Sequence, residues 1–322
     1  MHSSFAEYFV DPDSHSSLDL EIYEKVGNRI ISGLFKSEKS EYPIIKGVPR
    51  FVSNVNYSSS FAFQWGKWPL VQFESENIGK AMEGHTRNMF NKITDHFQEK
   101  IQNSDVVLDI GCGSGRFIDL IRSMNDVRII GIDFSNSVEV AFSNFKNYSN
   151  ICIVQADALN LPFKTKTFHS SFSIGVLHHT PSPKTGVDEA FRVLKKNGQF
   201  SVCVYAKGSY YDTKILKLYR KLFSFLRPFF AFFPPILYSY FMIKVISPLL
   251  NKFKLIKPLV LKIFPYTDLA DKNWAILDTF DSITPTYASV HTSNQLMRWL
   301  KSAGFKNIKS TDWGSTSFTA KK

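Results

Sequence analysis

Short, unbroken apolar runs recur between Val106 and Tyr205: Val106-Val-Leu108, Ile129-Ile130, Ile151-Cys-Ile-Val154, the segment from Ser170 to His178, and Gln199 to Tyr205. Runs of this length, rich in Val and Ile and bounded by turn residues, predict strands buried on both faces, as in a parallel sheet. Helical patterns separate them. Arg116-Phe-Ile-Asp-Leu-Ile121 opens one helix, and another runs through Arg192 to Gly198. Ile78 to Glu99 reads as a helix before the first strand, and Asn294 to Gly304 as the last one, with Gly304 as its stop. Two closing strands are expected at Asn307–Trp313 and Ser315–Ala320. The alternation predicts an α/β fold, a doubly wound mixed sheet of about seven strands.

The strand ends carry the chemistry. Between the first strand and its helix stands Asp109-Ile-Gly111-Cys-Gly113-Ser-Gly115, a G-x-G-x-G loop. Glycines at such a turn let backbone approach a ligand that any Cβ would push away, and the helix start offers free N–H donors. A dinucleotide loop would ask for a third glycine where Arg116 stands. Asp133 ends the second strand, 24 residues after Asp109, at the spacing that brings a carboxylate to ribose hydroxyls. Asp157 ends the third strand, followed by Ala158, and suits an exocyclic amine. The fourth strand, from Ser170, ends in the polar tip His178-His179; Gly and Asp are also ordinary turn formers, but here four signals stand in order.

These pieces (VLDIGCGSGRF, GIDFS, QADALNLPF, FSIGVLHHTP and RVLKKNG) resemble class I S-adenosylmethionine-dependent methyltransferases of the group related to ubiquinone and menaquinone biosynthesis. The likeness runs from Val106 to Tyr205 and returns at Asn294–Phe305. It implies a Rossmann-like domain that binds S-adenosyl-L-methionine. Gly111, Gly113 and Gly115, with Cys112, would pass the methionine moiety. Asp133 with Phe134 would take the ribose, and Asp157 with Ala158 the adenine; Gly175 belongs to the same pocket. Asp109 opens the motif and supports the loop. An aromatic segment, Phe61-Ala-Phe-Gln-Trp-Gly-Lys-Trp68, would fold over the pocket, so Gln64 and Trp65 are candidates for its lining.

Methyl transfer asks little of protein catalysis beyond aligning the acceptor and excluding water. A general base is needed only for a poor nucleophile such as a hydroxyl. Candidates are His178 and His179 at the fourth strand's tip, and Tyr287 and His291 just before the last helix. The His pair has an equally simple account as pocket wall. No metal-ligand cluster stands out.

Charge changes the picture next. The net charge is +11, and the stretch from Lys207 to Phe264 holds eleven basic residues against one acid, Asp212. This insertion after the fifth strand is also strongly aromatic, as in Pro228 to Ile243, 16 residues without a charge. That run is shorter than the ~20 residues of a membrane-spanning helix, and Pro234-Pro235 reads as an interruption, so a span is disfavoured. A helical lid over the substrate, a packed helical subdomain or dimer contact, and an amphipathic contact with an anionic membrane all remain open. No nucleic-acid module is visible.

Asn28 to Val52 resembles the zinc-ribbon-type module that precedes some of these enzymes, on Tyr42-Pro-Ile44 and Gly47-Val-Pro-Arg-Phe51. Phe35 and Glu38 stand where the zinc-binding form has its C-x-x-C pair, so a metal-free β element is expected. Cys112, Cys152 and Cys203 read as small buried hydrophobes, in keeping with a reducing cytoplasm, and the first residues show no secretory signal. The expected organisation is an N-terminal element (1–60), a methyltransferase domain (61–206), a lid or insertion (207–265) and the end of that domain (266–322). The expected reaction is methyl transfer to a small molecule, lipid-like or sugar-bearing. A catalytically silent donor-binding scaffold is the alternative, and a protein- or RNA-directed enzyme a third reading.

Overall fold

The computed structural model describes residues 1–52, 57–97, 101–122, 124, 127–253 and 255–322. The chain opens with a four-stranded antiparallel sheet in sequential order: β1 (Asp19–Val26), β2 (Arg29–Lys36), β3 (Glu41–Ile45) and β4 (Val48–Pro49). Its inner face is aromatic. Phe35 is buried and lies 5.3 Å from Phe9 and 6.0 Å from Phe51, ring centre to ring centre. Arg50 and Phe51 carry this sheet to the edge of the main one, where the Phe51 N–H donates to the Gln155 carbonyl at 2.8 Å.

Three helices follow: α1 (Ser59–Lys67), α2 (Glu74–Asn77) and α3 (His85–Thr94). The single helix expected from Ile78 to Glu99 is not formed. Gly79 and Gly84 adopt positive φ of 72° and 77°, which breaks helical geometry and delays the start of α3 to His85. Residues 98 and 99 lie outside the described residues.

The main sheet contains β5 (Val106–Ile110), β6 (Arg128–Asp133), β7 (Ile151–Gln155), β8 (Phe168–Ile174), β9 (Leu194–Cys203), β10 (Lys306–Ser310) and β11 (Ser317–Lys321), in the order β10-β11-β9-β8-β5-β6-β7. β5 to β9 pair in parallel, while β11 runs antiparallel between β9 and β10. This is the doubly wound, Rossmann-like mixed sheet. β5 is buried at every position, Asp109 included, because α4 (Arg116–Ile121), α5 (Ser137–Phe145), α6 (Pro183–Val193) and α12 (Ser293–Ala303) join α3 in covering the sheet. α6 stops at Val193, not at Gly198. Leu194 already pairs with Phe168, so strand pairing ends the helix sooner than its local pattern suggests. α12 ends as expected at Gly304, with φ 106°.

Between β9 and α12 lie α7 (Lys214–Phe230), α8 (Phe233–Phe241), a π-helical turn (Met242–Ile246), α9 (Ser247–Lys252), α10 (Lys257–Leu261) and α11 (Lys272–Ile283). Here Pro234-Pro235 does not interrupt a helix. The pair occupies the first turn of α8, where a missing N–H costs nothing, and helix continues to Lys252. Phe233–Lys252 is thus 20 residues long and, by length and composition, apolar enough to cross a bilayer.

Candidate active site

The strand order reverses at β5, with β6 and β7 to one side and β8 and β9 to the other. Open α/β sheets bind ligands in the crevice at that point, outside the carboxyl ends of the strands. A cavity of about 490 Å³ lies there, inside the range usual for small-molecule sites. Of the residues expected from sequence, Trp65, Gly111, Cys112, Gly113, Asp133, Phe134, Asp157, Ala158, Gly175, His178 and His179 line it, as does Gln64.

At the glycine loop the geometry explains the residue types. Gly113 has φ +57°, and a Cβ there would lie 2.7 Å from Nε1 of Trp65, whose ring rests on the loop. The Gly113 N–H donates to Oδ2 of Asp133 at 2.9 Å, while Ser135 donates to Oδ1 from its N–H (2.8 Å) and hydroxyl (2.7 Å). Asp133 is thus oriented at the tip of β6 with acceptor capacity to spare for hydroxyls. Phe134 meets Tyr57 at 4.9 Å, next to Asp157, whose carboxyl burial pushes upward. The buried Oε1 of Gln64 has no hydrogen-bond partner among the described residues. A cradle of backbone, an oriented carboxylate, rings and an orphaned acceptor fit a ligand that carries ribose, adenine and an amino acid.

Asp109 and Gly115 are not among the lining residues. Asp109 is buried beneath the loop, and burial holds its carboxyl well above the usual range. Gly115 makes room for the ring of Phe145, 2.2 Å from where its Cβ would stand. Both shape the loop from behind.

The other end of the cavity was not expected from sequence. Trp274, Leu277, Asp278 and Asp281, spaced along one face of α11, project into it, and Tyr205, Tyr211 and Arg116 close its sides. Arg116 Nη1 donates to Oε1 of Gln72 at 2.6 Å, and Gln72 Nε2 donates to Oδ1 of Asp278 at 3.0 Å. This relay ties the glycine loop to α11. Burial, and then the neighbouring Asp281 charge, push the Asp278 carboxyl up to about 7. These residues lie far along the chain in unremarkable helix, and the i, i+3, i+4, i+7 spacing of α11 is the only signal that could have flagged them.

His179 donates from Nδ1 to the Tyr287 carbonyl at 2.7 Å, because that oxygen can only accept. Its Nε2 is left as an acceptor, and burial lowers the ring's pKa, so the imidazole is neutral at ordinary pH. His178 accepts the Tyr205 N–H at Nδ1 (3.3 Å) and stacks on that ring at 3.6 Å, which makes it wall. The side chains of Tyr287 and His291 lie elsewhere. They line a shallow cleft beside Pro181 and Trp299, where His291 Nε2 meets Ser289 Oγ at 2.8 Å. Tyr287 meets the wall of the main site from outside, through its carbonyl on His179 and its ring, edge-on to Tyr57 at 5.0 Å. Cys112 and Cys203 line the cavity, Cys152 lies in the core, and all three are free thiols. Among the described residues no three His, Cys, Asp or Glu side chains group as metal ligands.

Residues 108–202 match the family described as "Methyltransferase domain". Among curated proteins, an uncharacterised protein of Methanocaldococcus jannaschii is 32% identical over 142 residues, covering 43% of this chain and 52% of that one. An O-methyltransferase of Aspergillus nomiae is 27% identical, covering 49% and 70%. A sterol 24-C-methyltransferase of Eremothecium gossypii is 30% identical, covering 35% and 31%. The chain thus spans about half the length of the first of these relatives and about a third of the sterol enzyme. Of solved structures, an S-adenosylmethionine-dependent methyltransferase of Thermotoga maritima is 14% identical, covering 83% of this chain and all of that one, with a TM-score of 0.46. Residues 108–202 are thus the part of this chain that is similar to a methyltransferase domain, and the cavity lies at the strand ends of that segment.

Proposed function

We infer that this protein transfers a methyl group from S-adenosylmethionine to a small, largely apolar acceptor bound against α11. The observation that carries the reading is the two-ended cavity, with glycine loop, Asp133 and Asp157 at one end and Tyr205, Tyr211, Trp274 and Leu277 at the other. The donor supplies an activated methyl on a sulfonium. The chain's share is to hold the acceptor in line and keep water out. For a hydroxyl acceptor, Nε2 of His179 is the base in reach, already neutral and fixed in tautomer. The acceptor end sets Tyr205, Tyr211, Trp274 and Leu277 beside Arg116, Asp278 and Asp281, which supports a lipid-like molecule that carries a polar group.

The test is calorimetric titration with S-adenosylmethionine and S-adenosylhomocysteine beside Gly113→Trp, followed by acceptor screening that begins with lipid-linked hydroxyls. Micromolar binding lost in the variant is expected. A folded wild-type chain that binds neither ligand would sink the reading.

A further inference from the structure

The helices between β9 and α12 expose apolar surface that the fold leaves uncovered. On α7, Leu216 and Phe223 face inward, while Leu218, Leu222, Phe225 and Phe229 follow one another at steps of four, three and four on the outside. Phe225 is 69% exposed and Phe229 70%, and their rings lie 6.1 Å apart. The second helical stretch repeats the arrangement, with every fourth residue from Phe233 to Phe253 exposed and apolar. Steps of four overshoot an α-helical turn and would carry such a stripe around the axis, but the wider π turn at Met242–Ile246 returns part of that drift. Leu255, 97% exposed, extends the surface. Monomeric soluble proteins rarely leave so much contiguous apolar area open to water.

The same surface is positively charged. No acidic residue occurs between Asp212 and Asp268, and Lys214, Lys221, Lys244, Lys252 and Lys262 are all exposed. We propose that α7 to α10 form a platform that lies on an anionic lipid bilayer, with the aromatic and aliphatic stripes in the interface and the lysines at the headgroups. Charge selects this occupant. A second copy would set two strongly cationic faces against each other, and a polyanion such as RNA would leave the exposed phenylalanines without a partner. The Phe233–Lys252 helix lies on the bilayer and does not span it. Its inner face, through Met242 and Ile243, is packed on Ala275, Ile276 and Phe280 in one buried cluster, and Lys244 sits mid-helix. Spanning would strip that cluster open and carry the ammonium into hydrocarbon.

The experiment is co-sedimentation of the full chain with vesicles of phosphatidylcholine alone, or with about a third phosphatidylglycerol, at low and high salt. Two variants accompany it, Phe225→Ser/Phe229→Ser/Phe233→Ser and Lys221→Glu/Lys244→Glu/Lys252→Glu, with thermal melting as the control for folding. Preference for anionic vesicles by about tenfold or more is expected, with release at high salt and loss in both variants at unchanged melting temperature. Equal binding to neutral vesicles, retention by either folded variant, or resistance to alkaline carbonate extraction would overturn the proposal, as would a salt-stable dimer that leaves no vesicle binding. If a variant fails to fold, lipid and salt dependence of the wild type decide alone. None of these readouts depends on methyl transfer.

Discussion

Gly113 and Asp278 show two ways in which a single residue serves this site. Gly113 is defined by what it lacks. Its left-handed backbone and the Trp65 ring 2.7 Å from a would-be Cβ leave no room for alanine. Gly113→Ala should therefore weaken S-adenosylhomocysteine binding by about tenfold or more, read by calorimetry, with part of the loss in stability. Asp278 is defined by its surroundings. The folded chain keeps its proton up to about 7, against an ordinary value of 3.8, so folding loses stability as pH rises between these values. Asp278→Asn should accordingly stabilise the protein at pH 8 by about 1 kcal/mol or more and leave it nearly unchanged at pH 4, which denaturant melts at both values would show. His179→Gln should lower turnover on a hydroxyl acceptor by about a hundredfold with donor affinity kept. Equal turnover would assign His179 to the wall, beside His178. The glycine loop was legible in the sequence because backbone conformation demands the residue type locally. Asp278 was not, because a carboxylate's role depends on what surrounds it.

Among the helices, α7 states its two faces most clearly. Phe223 is buried and Phe225 is 69% exposed, although only two positions separate them. In the absence of lipid, Phe223→Ala should cost about 3 kcal/mol by denaturant titration and Phe225→Ala less than about 0.5 kcal/mol. Equal costs would mean that α7 is packed on both sides in solution. α12 illustrates local control. Gly304 closes it, as its sequence predicts, and the structure adds the Thr292 side chain as cap at the other end, accepting from the Gln295 N–H at 3.2 Å. The start of α3, the end of α6 and the role of Pro234-Pro235 were not legible in the sequence, since strand pairing, positive-φ glycines and helix-start geometry overrode the periodic pattern.

On the scale of the whole molecule, a buried cation helps join the N-terminal sheet to the main one, beside the Phe51–Gln155 backbone bond. Arg50 donates from Nη1 to Oε1 of Gln155 at 2.7 Å and from Nη2 to Glu139 on α5. Arg50→Ala leaves Gln155, itself fully buried, short of a donor at the edge of β7. The change should cost about 2 kcal/mol and raise hydrogen exchange in β2 to β4 before the main sheet opens. Simultaneous exchange of both sheets would show that they unfold as one unit. The sequence alone determined the strands, the glycine loop and the carboxylates at the tips of β6 and β7, because buried parallel strands and tight turns impose composition within a few residues. Only the tertiary structure decided which residues line the cavity, that the Tyr287 and His291 side chains are not among them, and which side of the basic helices remains uncovered. Those outcomes depend on how distant segments pack, and no local pattern of side chains encodes the partner that each face will meet.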